Sequence, residues 1–162
     1  MSADKGVIQT QLDKASEELS ALVEGLSEPE MLERGVVEGW SVKDLLGHIA
    51  FWTQKAAGDL KLVAEGRQDE MQRVSGLEEM EQWNARESQR RQDVPLAEIT
   101  KEWRDSHEAT RAVLASIPAE KLDLVVKGRR TDIRFASDTF LHYREHAEQI
   151  RAWQRQLETS EA

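Results

Sequence analysis

Residues 41–66, SVKDLLGHIAFWTQKAAGDLKLVAEG, read as one long amphipathic helix. Ser41 is a strong N-cap type, and Asp44 falls in the first turn, where the helix dipole favours an anion. Val42, Leu45, Leu46, Ile49, Ala56, Leu60 and Val63 recur at helical spacing and make one inner face, and Gly66 ends the segment. A helix with a single apolar face needs partners to cover it, so the fold depends on how many more the chain supplies.

On the N-terminal side, Lys5 to Gly25 predicts another long helix. Ile8, Leu12, Ala15, Leu19, Leu22 and Leu26 are spaced 4, 3, 4, 3 and 4 apart, a single stripe. Between the two helices, SEPEMLERGVVEGW (27–40) is polar, and Ser27 with Glu30 has capping-box spacing, so a short helical turn is expected there. On the C-terminal side, RQDEMQRVSG (67–76) shows no apolar pattern and reads as a loop.

Ser75 with Glu78 is expected to open a polar helix whose sparse apolar residues, Leu77, Met80 and Trp83, lay it across the surface. Pro95 breaks it and suits the start of the next helix, in which Leu96, Ile99, Trp103, Thr110, Leu114 and Ile117 share a stripe. In 122–135, LDLVV and DIRF flank Lys127-Gly128 and suggest a small hairpin. Ser137 or Asp138 then caps a last helix that runs to about Leu157. Four long helices with short helical connectors predict an all-α, four-helix bundle in one domain over 1–162.

Composition narrows function. Thirty-one acidic against 22 basic residues give a net charge of −9, which repels phosphate backbones and anionic headgroups and argues against nucleic-acid and membrane partners. Cysteine is absent, so there is no disulfide, thiolate ligand or cysteine nucleophile. No apolar run approaches a membrane span, and the start MSADKGVIQTQLDK lacks secretory features, so a cytoplasmic location is expected.

The chain has four histidines. His142 and His146 lie in TFLHYREHAEQIRAW (139–153) at i and i+4, where two imidazoles can reach one ion. Tyr143, His146, Ile150, Trp153 and Leu157 occupy a sector of about 80°, with His142 just outside it. An isolated pair of this kind is more often structural than ligating. His48 adds weight through its depth. It is seven residues past Ser41, while His142 and His146 are five and nine past Ser137. If both helices start from the same end of the bundle, the three rings converge roughly 10 Å in. Three histidines and an open position make a catalytic-type site for zinc or a similar ion. His107, on the inner face of its own helix, reads as a core histidine.

GWSVKDLLGHIA, followed about ninety residues later by HYREHAEQI, resembles the DinB/YfiT-like superfamily over essentially the whole chain. The resemblance implies a divalent ion, nickel or zinc, held by His48, His142 and His146, and a homodimer. Gln149 stands where members often carry a polar residue; HAEQ here departs modestly from the HRGQ type. It further implies a hydrolase, or a transferase using a low-molecular-weight thiol, acting on a small molecule. A looser likeness to colibactin self-protection bundles, through GWSVKDLL, implies instead a metal-independent binding or protective protein.

No general base stands out. Glu145 points about 100° from His146 and reads as solvated. Tyr143 packs or donates to an oxyanion. Arg129, Arg130 and Arg134, in the connector before the last helix, are candidates to hold an anionic group of a substrate or thiol cosubstrate, and Trp52 is a candidate wall of the pocket.

Overall fold

The computed structural model describes residues 2–161. In chain order its helices are α1 (Lys5–Glu24), α2 (Glu28–Leu32), α3 (Val42–Ala64), α4 (Leu77–Arg91), α5 (Leu96–Ser116), α6 (Thr131–Asp138) and α7 (Phe140–Glu161). The four long ones, α1, α3, α5 and α7, form the bundle. No helix among the described residues is long and apolar enough to cross a membrane.

The capping chemistry expected for α2 and α3 is present. Ser27 accepts from the Glu30 N–H and Ser41 from the Asp44 N–H, and each acid returns a bond to its cap's backbone N–H. All seven inner-face residues of α3 are buried. Leu46 is fully buried, so Leu46→Ala is expected to cost about 2–5 kcal/mol, read from a denaturant melt.

The helix directions follow from contacts along their lengths. On α3 and α5, Lys43 reaches the Gln92 carbonyl, Thr110 the Thr53 carbonyl, and Lys121 the Ala64 carbonyl, so these helices run parallel. α4 carries the chain back to make this possible. On α1 and α5, Lys5 reaches Ile117 and Asp13 pairs with Arg111, an antiparallel arrangement. Along α3 and the α6–α7 segment, Arg73 joins Asp59 to Asp138, Thr53 meets Tyr143, and His48 packs edge-on against His146 with ring centres 5.1 Å apart. As one number falls the other rises, so α3 and α7 are antiparallel. The common starting end expected from the sequence is therefore wrong, although the histidines do meet.

The stretch 122–135 also differs from expectation. Only Val125–Val126 (β1) and Arg129–Arg130 (β2) pair, Val125 with Arg130 and Val126 with Arg129, around Lys127 and Gly128 at positive φ. DIRF belongs to α6, because Thr131 closes the hairpin through two bonds to the Leu124 carbonyl and the chain then coils. Four alternating residues are too few to separate a strand from a helix. Ser137 and Asp138 consequently end α6 and do not cap α7. Thr139 does that job with its backbone, its carbonyl accepting from the Tyr143 N–H at 2.8 Å.

The surface helix α4 begins after Gly76, so Ser75 lies outside it and donates to Glu79 rather than boxing with Glu78. Glu87 is its one buried residue. The helix is fastened mainly by charge: Arg91 bonds Glu87 at 2.8 Å and crosses to Glu102 of α5 at 2.6 Å. Gly47 leaves the passage open, since a Cβ there would stand 2.9 Å from Arg91 Cδ.

Candidate metal centre

His48 projects from the second turn of α3, His142 from the first turn of α7, and His146 from the turn above it. The Nε2 of His142 stands 2.8 Å from that of His146 and 3.0 Å from that of His48. Among the described residues this is the group of three or more potential ligands that can hold a metal ion.

His146 Nδ1–H donates to Gln149 Oε1 at 2.6 Å, which leaves the Nε2 lone pair facing its neighbours. Burial holds all three imidazoles below the usual histidine range: His48 to about 3, with His146 and Arg91 adding to the effect, and His142 well below. For His146 burial outweighs the opposing bond to Gln149. Neutral rings keep their lone pairs available.

The fit to a divalent ion rests on these nitrogens. Three Nε2 atoms meet where one shared proton cannot serve them all, whereas a cation accepts three lone pairs. Two nitrogens bound to one ion at about 2.0–2.1 Å lie roughly 2.9–3.4 Å apart, close to the two separations that involve His142, and all three ligand nitrogens lie within 4.8 Å of one another. The buried His142 Nδ1 has no hydrogen-bond partner among the described residues, so its orientation is set by what its other nitrogen faces.

The triad forms one wall of a cavity of about 440 Å³ that also borders Trp52, Arg73, Asn84, Arg129, Asp138 and Glu145. A family model described as the DinB superfamily matches residues 11–153, nearly the whole chain. The chain belongs to the DinB superfamily. No curated protein matches it. A solved structure named Sibling Lethal Factor Precursor, DfsB, is similar at a TM-score of 0.77 and 12% identity, covering 97% of this chain and 98% of that one. At that identity the likeness speaks for the shared fold alone.

Within this DinB bundle the other residues singled out from sequence separate. Trp52 does wall the cavity, its indole N–H donating to Asn84 Oδ1 at 2.8 Å and its ring stacked on Trp83. Arg129 reaches the rim and donates to Ser137 Oγ. Arg130 does not reach the cavity, because Asp123 and Asp132 hold it on the far side of the hairpin. Arg134 is buried against the Met71 sulfur, since α6 is a helix and turns that side chain inward. Tyr143 faces away from the cavity: its hydroxyl meets Thr53 at 3.2 Å and His107 Nδ1 at 3.4 Å inside the core. His107 is thus a core histidine. Glu145 is exposed, and it lies on the rim of the cavity.

Arg73, Asn84 and Asp138 escaped the sequence reading. Asp138 precedes His142 by only four residues, but it ends α6 while His142 begins α7, and a sequence that reads equally as a helix cap does not mark it. Arg73 sits in a patternless loop, and nothing in its neighbours marks it.

Proposed function

We propose that this protein is a metal-dependent enzyme of DinB type that binds zinc or nickel through His48, His142 and His146 and acts on a small molecule as a hydrolase or thiol transferase. The convergence of three neutral imidazoles on an open cavity carries this reading. A divalent ion held there supplies Lewis acidity and acidifies a bound water or thiol.

The chain's own residues define what remains. Without cysteine, and with Ser137 Oγ engaged by Arg129 and donating to the Ile133 carbonyl, the cavity offers no free thiol or hydroxyl nucleophile. The attacking group therefore enters with the substrate, as water or as a thiol cosubstrate. Two carboxylates border the cavity and can take up its proton. Asp138 is buried and braced by Arg73, and burial raises it above the usual aspartate range despite that partner. Glu145 stands at the solvent edge. Gln149 fixes the His146 ring, and Arg129 offers a positive charge to an anionic substrate group.

Turnover in a screen of activated esters, and of electrophiles with small thiols, is expected to vanish after chelator treatment and to return with zinc or nickel. Turnover that survives complete metal removal would contradict the proposal.

A further inference from the structure

Asn84 stands between two cavities. One is the histidine cavity; the other, of about 510 Å³, runs between α4 and the turn before α3 and is bordered by Arg34, Glu38, Trp40, Asp44 and Glu81. Trp40 also packs edge-on against the His48 ring at 5.2 Å, so this groove approaches the histidines from their other side.

The orientation of the Asn84 amide is determined by its neighbour. An indole N–H can only donate, so the atom 2.8 Å from Trp52 Nε1 must be the carbonyl Oδ1. The indole itself is immobilised, stacked on Trp83 at 6.1 Å with the Arg73 guanidinium 5.6 Å from its ring centre. The Asn84 Nδ2 group is therefore held away from Trp52, and it has no hydrogen-bond partner among the described residues. Two oriented donors are left at the junction of the cavities. Beyond them, three carboxylates (Glu38, Asp44 and Glu81) outnumber Arg34 along the groove, which favours a cationic end on whatever lies there.

We propose that Asn84 is a specificity residue that donates to a carbonyl oxygen of an N-acylated amine whose cationic end lies in the acidic groove. This rests on the reading of the histidine cavity as a ligand site, and it adds to that site a second compartment and a chemical class. Asn84 bonds none of the three histidines, so it acts on the ligand and not through the metal.

The test uses the full chain, labelled with nitrogen-15, and two monocationic probes: N-acetylputrescine, which carries an amide, and hexylamine, which does not. Asn84→Asp keeps an acceptor for the Trp52 indole N–H and removes both donors. Its spectrum assigns the Asn84 side-chain amide pair by difference, and a retained Trp52 indole resonance verifies the local fold. N-acetylputrescine is expected to shift the Asn84 pair in the wild type and to bind more tightly than hexylamine. In Asn84→Asp that preference is expected to fall about five- to tenfold, the size of one neutral hydrogen bond. An unmoved Asn84 pair, or an equal preference in both proteins, overturns the proposal. Each titration is repeated after chelation. Persistence of the Asn84 shift in protein that will not load metal supports this assignment while removing the metal reading.

Discussion

His142→Ala is expected to purify without bound metal under conditions in which the wild type retains close to one zinc or nickel per chain. The effect should be large because His142 occupies the middle of the triad. Its Nε2 is the atom that approaches both other rings, at 2.8 and 3.0 Å, so its loss leaves two imidazoles on antiparallel helices with no common neighbour. His48→Ala and His146→Ala should behave alike. Gln149→Leu, which removes the acceptor for His146 Nδ1–H, should weaken retention by about 10–100-fold and not abolish it. Elemental mass spectrometry after desalting, with chelator competition for Gln149→Leu, reads all four. The fold should survive, because His142 is only partly buried and its Nδ1 has no partner to lose. Stoichiometric metal in His142→Ala would remove the triad as the binding site.

The bundle was legible because its long helices carry strong, local signals. Ser41 with Asp44, and the stripe from Val42 to Val63, specify α3 before any packing is known. The histidines were legible as a set, but the reason offered for their meeting was not sound. Counting from Ser137 placed them at a shared depth from one end, whereas α7 begins at Phe140 and runs against α3. They meet because α6 and the hairpin take up the chain at the far end of α3, and helix direction leaves no mark in periodicity. Arg134 and Tyr143 show a related limit. Their neighbours in sequence pointed to the site, but helical rotation turned Arg134 onto Met71 and Tyr143 onto Thr53. Asn84 and Arg73 gain meaning only from Trp52, which is distant from both in sequence.

Arg73→Leu is expected to destabilise the protein by about 3–5 kcal/mol near neutral pH, the cost of leaving a buried carboxylate without its counter-charge. Arg73 is the cation that bridges Asp59 of α3, at 3.1 Å, to Asp138, at 2.9 Å, and all three side chains are at most 15% exposed. Lys55 remains for Asp59, but Asp138 has no other ion pair among the described residues. The pH dependence separates this cause from lost packing. Burial already raises Asp138 against the opposing pull of Arg73, and without the guanidinium the rise must grow. A group with a raised folded-state value binds protons more readily when folded, so its contribution to stability falls as pH climbs from the ordinary aspartate range, about 4, through that raised value. The deficit of Arg73→Leu should therefore shrink toward pH 5 and grow toward pH 8, as measured by denaturant melts at each pH. Arg73→Leu combined with Asp138→Leu should recover most of the loss, because two apolar groups need no compensation. A pH-independent deficit, unrelieved in the double variant, would make Arg73 a packing residue over Trp52 and remove Asp138 from the proposed proton path. Metal content should be unchanged in both variants, since neither residue bonds a histidine, so any accompanying loss of turnover would be assigned to the carboxylate and not to the metal.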